Sequence, residues 1–374
     1  MLAVPPVLPY PAWPSMSVRT QRAREPARGV TPPLSVAPMM DRSDRHFRRL
    51  MRLISRHTLL YTEMITCPAI ENGDRDYLLG YDDDEHPLAL QLGGDDPSAL
   101  ARCAAIAVER GYDEINLNVG CPSSRVQTGN FGACLMREPE RVAACVAAMR
   151  AAVPVPVTVK HRIGVDELDR YEDMVKFVEL VAAAGCDRFT VHARKAWLQG
   201  LSPKQNRNVP PLRYADVHRL ARELPDLAIE INGGIRSVAE IREQLVHVDA
   251  VMIGRAAWDD PWMFATVDRA VFGSTAPAPT RVAVVHAYLE SIGPWLAARA
   301  EPRRFRGPSP TVLLRPLMNL FAGWPGARRW KRALNAKCQA PTQLGELVEL
   351  AAELERRGGA PRQPSSEPAG LDVF

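Results

Sequence analysis

Cys121 is the side chain whose type and setting most directly indicate chemistry in this sequence. An apolar, strand-like run ends there in a Gly-Cys-Pro turn, and such a turn exposes a thiol to a ligand pocket. Cys103, Cys145 and Cys186 instead lie in apolar patterns that are typical of a core. Because no base is paired with Cys121 in the sequence, the thiol could act either as a nucleophile or as a proton donor.

Two other strand-like runs end on side chains that can carry a proton. Lys160 ends an otherwise apolar run, so its ammonium group must either reach the mouth of a pocket or lose most of its hydration. His192 ends the next run in the same way. We expect Lys160 to stabilise negative charge on a bound ligand and His192 to contact the same ligand.

Glycines and an arginine follow the last two strand-like runs. Asn232-Gly233-Gly234 comes after the seventh run, and Gly254-Arg255 comes after the eighth. Glycines let backbone N–H groups approach an anion, and arginine offers a fixed fork of donors. The pair predicts a phosphate site, with ordinary turn glycines as the alternative.

The positions of these residues follow from a regular alternation of short and long elements. Strand-like runs at 34–38, 59–63, 88–92, 114–118, 155–160, 188–192, 228–232 and 250–253 alternate with helical patterns at 97–110, 138–152, 171–184, 214–224 and 238–245. Eight such runs predict a (β/α)8 barrel, and a doubly wound open sheet is the alternative. A barrel would gather all the strand ends on one face, where active sites of this fold are built.

The C-terminal part of the chain is predicted to be helical and basic. Between residues 281 and 337, eleven basic residues stand against two glutamates, a local balance of +9, although the whole chain carries only +4. Such a surface suits a polyanion, and a solvated helical face is the alternative. The basic residues are Arg281, Arg299, Arg303, Arg304, Arg306, Arg315, Arg328, Arg329, Lys331, Arg332 and Lys337.

Length and composition exclude several classes of protein. The chain has 374 residues, and a hydrophobic fraction of 46% with 24% charged residues is enough to form a sizeable core, which excludes global disorder. The longest Ala-rich run, 143–157, is interrupted by Arg150, Pro154 and Pro156, so no membrane span is expected. We predict a disordered extension at 1–33, a barrel domain at 34–275, a helical domain at 281–356 and a disordered tail at 357–374.

The seven cysteines are odd in number and lack any CxxC or Cys/His ligand spacing. This pattern is typical of reduced thiols rather than of disulfides or a metal site. We therefore expect a cytoplasmic protein without a bound metal. A monomer is expected as well.

Several motifs, in order, resemble tRNA-dihydrouridine synthases, and specifically their A subfamily. They are SVAPMMD at 35–41, YTEM at 61–64, QLGG at 91–94, LNVGCPS at 117–123, GNFGACLM at 129–136, VKHRIG at 159–164, VHARKA at 191–196, INGGI at 231–235 and PGARRW at 325–330. The resemblance covers about residues 34–335. The chain departs from the family pattern at Arg315-Pro316-Leu317, where Arg-His-Met is expected.

The resemblance implies an FMN-binding barrel, NADPH as reductant and a helical domain that binds tRNA. Cys121 matches the family's catalytic acid, and Asn118 matches the residue that orients the target uracil. Lys204, Arg207, Arg329 and Arg332 fall in segments that, in this subfamily, contact tRNA. The positions that match FMN contacts are Pro38, Met39, Met40, Gln91, Lys160, His192, Asn232, Gly233, Gly234, Gly254 and Arg255.

The reaction implied by the resemblance is reduction of the uracil C5–C6 bond at positions 20 and 20a of the tRNA D-loop. A hydride passes from flavin N5 to C6, and Cys121 gives a proton to C5. Two other classes are kept as alternatives. One is an FMN barrel oxidoreductase acting on a free pyrimidine, and the other is a non-catalytic RNA-binding protein.

Overall fold

The computed structural model of the chain describes residues 31–298 and 307–358. Within them, residues 31–257 and 263–278 form one compact unit, and residues 258–262, 279–298 and 307–358 form a second. Most of the two predicted disordered ends, at 1–30 and 359–374, lies outside the described residues, as do Arg299, Arg303, Arg304 and Arg306. No helix in the described ranges has the length and hydropathy that crossing a bilayer requires.

Eight parallel strands close into a barrel in chain order, which confirms the predicted (β/α)8 fold and excludes the open sheet. Each strand pairs with the next one in sequence, and β8 pairs with β1 through Val251 and Leu34. The strands are β1 (Leu34–Val36), β2 (Leu59–Thr66), β3 (Leu88–Gly93), β4 (Glu114–Val119), β5 (Val157–Arg162), β6 (Arg188–His192), β7 (Ile229–Asn232) and β8 (Ala250–Ile253).

The five predicted crossover helices are present, with both ends within one residue of the prediction. Side-chain caps explain several starts: Asp96 accepts a hydrogen bond from the Ala99 N–H, and Ser237 accepts one from the Glu240 N–H. The helices up to residue 270 are α1 (Arg45–Ile54), α2 (Cys67–Asn72), α3 (Arg75–Leu78), α4 (Pro97–Glu109), α5 (Ser124–Thr128), α6 (Pro139–Ala152), α7 (Tyr171–Ala183), α8 (Tyr214–Glu223), α9 (Val238–Gln244), α10 (Arg255–Asp259) and α11 (Val267–Ala270).

A buried network of charges joins the beginnings of the strands. Arg188 donates hydrogen bonds to both carboxylate oxygens of Glu114, at 2.7 and 2.8 Å, and the hydroxyl groups of Tyr61 and Thr158 donate to the same carboxylate. Every member of this group is buried, so each charge is compensated by a partner rather than by water. The network lies at the starts of β4 and β6, away from the polar side chains that end the strands.

The second unit is helical, as the sequence predicts for this part of the chain. Helix α12 (Arg281–Ala298) packs against α15 (Gly345–Arg357), and α13 (Pro310–Leu314) packs against α14 (Ala327–Gln339). Trp330 of α14 is fully buried, and its indole N–H donates to the Leu317 carbonyl at 2.8 Å. Its ring packs against Phe321, with centroids 4.7 Å apart.

The structure corrects the interpretation of Arg281 as part of a basic surface. Its side chain is buried, and its guanidinium lies 4.4 Å from the ring centroid of Trp262 and 4.1 Å from that of Trp324. Its Nε donates to the Leu320 carbonyl at 2.9 Å. Burial lowers the pKa of Arg281 to about 10. This cation stabilises the aromatic core of the helical unit and is not available to a polyanion.

Arg315-Pro316-Leu317, where the sequence departs from the family pattern, marks a change of helix type. Helix α13 ends at Leu314, and residues Arg315–Asn319 form a 3-10 helix. Pro316 has no N–H to continue the α-helical bonding, and both Pro316 and Leu317 are buried. Arg315 lies over the ring of Trp258, 5.3 Å from its centroid.

Candidate active site

The predicted site residues of the barrel unit all lie at the C-terminal side of the strands. Because the strands are parallel, these ends share one face of the barrel. In the first half of the barrel, Pro38, Met39 and Met40 follow β1, Gln91 lies in β3, and Asn118 lies in β4 with Cys121 after it. In the second half, Lys160 lies in β5, His192 ends β6, and Asn232 ends β7 just before Gly233 and Gly234. Gly254 and Arg255 follow β8, and Lys204 and Arg207 lie between β6 and α8.

The segment after β1 is held by a tight turn. The Met39 N–H donates to the Ser43 hydroxyl at 2.8 Å, and that hydroxyl donates back to the Met39 carbonyl at 3.1 Å. Met39 packs on a buried cluster that includes Ala37 and Met252. Met40 is 55% exposed, so its side chain is free to cover a ligand at this rim.

Side-chain amides form a connected row across β3, β4 and β5. Asn118 Nδ2 donates to Gln91 Oε1, and Gln91 Nε2 donates to Asn116 Oδ1, both at 2.8 Å. Asn116 Nδ2 in turn donates to the Thr158 hydroxyl at 2.8 Å. The row fixes the orientation of each amide, because every one has both a donor and an acceptor partner.

Asn118 connects this row to the turn that carries Cys121. Its Oδ1 accepts hydrogen bonds from the Gly120 N–H at 3.1 Å and the Cys121 N–H at 3.0 Å. The Cys121 thiol is half-buried. One of the two Nδ2 hydrogens of Asn118 bonds to Gln91, which leaves the other to face a ligand.

The loop after Cys121 folds back on it. The Ala133 N–H donates to the Cys121 carbonyl at 2.9 Å. Gly132 has φ +78°, and a Cβ there would lie 2.6 Å from that carbonyl oxygen. Only glycine therefore permits this close return of the backbone.

Lys160 does not end its strand, because β5 continues to Arg162, two residues beyond the predicted end. Its Nζ donates to Asn232 Oδ1 at 3.2 Å, and Asn232 Nδ2 is held by the Met252 carbonyl at 2.8 Å. Burial, with the nearby charge of Arg162, lowers the pKa of Lys160 to about 8. The ammonium group is thus held by a neutral amide at a site that disfavours its charge.

His192 is surrounded by positive charge. Burial, followed by Arg162, Lys160, Arg194 and Arg255, lowers the pKa of His192 well below its ordinary value of 6.5. The imidazole is therefore neutral and offers one donor and one acceptor to a ligand.

The backbone after β7 requires glycine at two positions that the sequence also predicts to contact a phosphate. Gly233 has φ +120°, and a Cβ there would lie 2.7 Å from His192 Cδ2. Gly234 has φ +78°, and its Cβ would lie 2.5 Å from Leu212 Cδ1. At Gly254, by contrast, a Cβ would meet only Ala37, at 3.8 Å, so the fold itself would accept a side chain.

Arg255 lies at the rim, after β8, and bonds to the segment between β6 and α8 that contains the predicted tRNA contacts. Its guanidinium donates to Asn208 Oδ1 at 2.7 Å and to the Arg207 carbonyl at 3.1 Å. Lys204 and Arg207 are exposed. Asn206 between them is fully buried, and its side chain bonds to both the N–H and the carbonyl of Trp197.

Arg162 and Arg194 were not singled out by the sequence analysis, although both add charge to this face. Arg162 is buried, and burial lowers its pKa to about 10. A period of two along a strand places Arg162 on the same face as Lys160, and this signal could have identified it.

The two predicted tRNA-contacting residues of the helical unit are exposed on α14. Arg329 forms an ion pair with Glu353 at 2.6 Å. Arg332 and Lys337 line a groove of about 620 Å³ between α14 and α15. Lys337 is paired with Glu346 at 2.8 Å.

The groups at the strand ends suit a planar, anionic, phosphorylated ligand. Lys160 and the neutral His192 would face its polar ring, and the Gly233-Gly234 backbone with Arg255 would face a phosphate. The lowered pKa of Lys160 supports this fit, because an anion beside it would offset the cost of holding the charge. The donor set therefore fits a flavin-type cofactor that carries a phosphate.

Comparison with known proteins identifies the family. Residues 35–355 match the dihydrouridine synthase (Dus) family. The chain is 55% identical over 327 residues to the tRNA-dihydrouridine(20/20a) synthase of Synechocystis sp., covering 87% of this chain and 96% of that protein. It is 52% identical over 317 residues to the enzyme of the same name from Shewanella oneidensis (85% and 92% covered) and 53% identical over 321 residues to that of Escherichia coli (86% and 90% covered).

Among solved structures, a 2-naphthoyl-CoA reductase complex aligns with a TM-score of 0.49 and 8% identity, covering 63% of this chain and 49% of that one. This similarity is too low to bear on the reaction. The family match, in contrast, spans both units and rules against a free pyrimidine substrate and against a non-catalytic RNA-binding role. The chain belongs to the dihydrouridine synthase family, whose members reduce uridine in tRNA.

Proposed function

We propose that this oxidoreductase binds FMN at the strand ends of its barrel, takes its electrons from NADPH, and reduces uridines 20 and 20a in the D-loop of tRNA. Family membership supports the reaction class and a flavin-type cofactor. The positions 20 and 20a are supported by the names of relatives that share about half of its residues.

The FMN-binding residues are those that the sequence predicts. Pro38, Met39 and Met40 would cover the ring from β1, Gln91 and Lys160 would bond to its polar edge, and His192, Asn232, Gly233, Gly234, Gly254 and Arg255 would hold the remainder and the phosphate. The lowered pKa of Lys160 favours an electron-rich ring beside it. When bound, the reduced flavin supplies the hydride that adds to C6 of uracil.

Cys121 is the proton donor to C5 in this proposal. Asn118 positions the Cys121 backbone through its Oδ1 and has an amide hydrogen left to orient the uracil. The thiol is half-buried on the same barrel face as Lys160, so a base inserted at the strand ends would lie between them. The observation that carries the proposal is this juxtaposition of a thiol on a fixed backbone turn and an electropositive pocket at the strand ends.

Transfer RNA would be held mainly through its phosphates. A uridine in a folded tRNA must leave its stack to enter a barrel. Unstacking costs roughly a few kcal/mol, which contacts elsewhere in the tRNA have to offset. Lys204 and Arg207 at the barrel rim and Arg329 and Arg332 on α14 are exposed cations suited to this. In this proposal residues 34–275 carry the chemistry, residues 281–356 bind tRNA, and the enzyme works as a monomer in the cytoplasm.

The test compares Cys121→Ala with Cys134→Ala. Both thiols are half-buried in the same stretch of chain, but only Cys121 is proposed to act. We expect Cys121→Ala to retain flavin and tRNA and to slow tRNA-dependent flavin reoxidation by ~10² to 10⁴-fold, the usual contribution of a positioned acid. Cys134→Ala should react at the wild-type rate. A wild-type rate in Cys121→Ala would refute the assignment.

A further inference from the structure

The backbone on both sides of Cys121 is tied to one neighbouring segment, the loop of residues 193–213 between β6 and α8. Arg162 Nε donates to the Gly120 carbonyl at 2.8 Å, directly before Cys121. Its Nη1 donates to the Lys195 and Asn206 carbonyls of that loop, each at 3.1 Å. One buried guanidinium thus joins the end of β5, the Cys121 turn and the loop.

Gln127 makes a second connection on the other side of Cys121. Its Nε2 donates to the Pro122 carbonyl and to the Leu198 carbonyl of the 193–213 loop, both at 2.9 Å. The residue before and the residue after Cys121 are therefore both bonded by side chains that also bond the same loop. We call Arg162 and Gln127 the two clamps.

Both clamps bond to neutral backbone carbonyls, so they fix the position of the backbone and do not neutralise a charge. The guanidinium of Arg162 bonds to the carbonyl oxygens of Gly120, Lys195 and Asn206. Burial lowers the pKa of Arg162 to about 10, because such acceptors only partly replace its hydration. A guanidinium has donors in a fixed planar fork, so it can hold three carbonyls at set angles, which a lysine ammonium on a flexible stem cannot do. Arg162 therefore sets the relative position of the three segments that it joins.

We infer that Arg162 and Gln127 are positioning residues that hold the Cys121 thiol in register with the loop bearing Lys204 and Arg207. This inference rests on the proposed role of Cys121 as proton donor. A base that enters beside this loop would meet the thiol at a distance set by the clamps. A displacement of the reacting group by about 1 Å can reduce the rate of a proton transfer of this kind by roughly 10²-fold.

The first test measures the rate of tRNA-dependent flavin reoxidation in the full-length enzyme and compares Arg162→Lys and Gln127→Met with Arg52→Lys. Arg52 is a matched control, since it is equally buried, its guanidinium also bonds to backbone carbonyls, and burial lowers its pKa to about 10 as well. It lies at the end of α1, where it bonds to segments that precede β2 and β3. We expect each clamp variant to slow tRNA-dependent flavin reoxidation by roughly tenfold to hundredfold. In Gln127→Met, which changes no charge on the strand-end face, flavin content and flavin reduction by NADPH should be unchanged, and Arg52→Lys should match wild type in every rate.

The second test distinguishes positioning from general loss of structure. In a Cys121→Ala background the clamp substitutions should cause no further loss of rate, because they act through the missing thiol. In the background with Cys121 present, alkylation of Cys121 by iodoacetamide, followed by peptide mass spectrometry, should rise severalfold relative to Cys134 as the turn is released.

The outcomes separate this inference from the proposed function. Slow turnover in Cys121→Ala with wild-type rates in both clamp variants would overturn the inference alone. Equal losses with and without Cys121, or a loss in Arg52→Lys as large as in Arg162→Lys, would overturn it too. A wild-type rate in Cys121→Ala would overturn the proposed role of the thiol and this inference with it. Gln127→Met keeps the test decisive if Arg162→Lys does not fold.

Discussion

Replacing Lys160 by methionine should make the flavin-free protein more stable, although the same change should remove its ability to bind FMN. The pKa of Lys160 falls from its ordinary value of 10.5 to about 8 in the folded protein. This difference is equivalent to about 3 kcal/mol of unfavourable free energy when the side chain is charged in both the folded and unfolded states. Because the side chain is only partly shielded from solvent, this value is an upper limit.

The effect has a defined dependence on pH. Below pH 8 the lysine is charged whether the chain is folded or not, so the full cost is present. Between pH 8 and 10.5 the folded form loses its proton first, and the cost shrinks; above 10.5 both forms are neutral and it is gone. The gain of Lys160→Met should therefore be largest at pH 7 and absent near pH 10.5.

Thermal unfolding of the flavin-free proteins measures this. At pH 7 the midpoint of Lys160→Met should exceed that of wild type by roughly 3 to 10 °C, given about 2 to 4 °C per kcal/mol for a domain of this size. Adding FMN at about one thousand times its Kd should reverse the order, because a ligand at that concentration stabilises the binding-competent protein by roughly 4.1 kcal/mol, which exceeds the gain from the substitution. Lys195→Met is the control: Lys195 is paired with Asp169 at 2.9 Å, so its loss should not stabilise the protein. A Lys160→Met midpoint below wild type at pH 7, or a difference that does not change with pH, would refute the reasoning.

Three further predictions test the pocket and the tRNA surface. Gly233→Ala should lose FMN on gel filtration, because its Cβ would lie 2.7 Å from the ring of His192 in a backbone conformation that disfavours any side chain; retention of the full flavin absorbance would show that the loop can adapt. Arg255→Ala should weaken FMN binding at least about tenfold in a fluorescence titration, since a charge-assisted contact to phosphate is lost; an unchanged Kd would move the phosphate elsewhere. Arg329→Ala combined with Arg332→Ala should lower the slope of log K against log salt for tRNA by roughly 0.7 to 0.9 for each lost contact and leave NADPH oxidation by oxygen unchanged. An unchanged slope would remove these arginines from the tRNA surface.

The barrel was predictable because its strands and helices differ in period and length. All eight runs correspond to strands, and the crossover helices end within a residue of their predicted bounds. The error at β5 has a physical origin. His161 and Arg162 look like the beginning of a loop, yet Arg162 is buried by bonding to carbonyls that lie more than thirty residues away. Sequence periodicity cannot report such distant acceptors.

Arg281 shows the same limit in the helical unit. An arginine in a basic segment predicts a surface residue, and the prediction was wrong here. The rings that surround it, Trp262 and Trp324, are separated from it by nineteen and forty-three positions in the sequence. The row of amides from Gln91 to Thr158 could not be predicted from the sequence either, because it depends on the order of strands in the closed barrel.

The buried Asn206 has a consequence for how tRNA would associate with the enzyme. A loop that orders only on contact loses backbone entropy at that moment, which weakens binding and slows the productive encounter. Here the Asn206 amide fixes the stretch that bears Lys204 and Arg207 in the absence of any RNA. The two cations are thus in place before tRNA binds. Binding of tRNA phosphates at the barrel rim should therefore show little of the heat-capacity change that accompanies folding on binding.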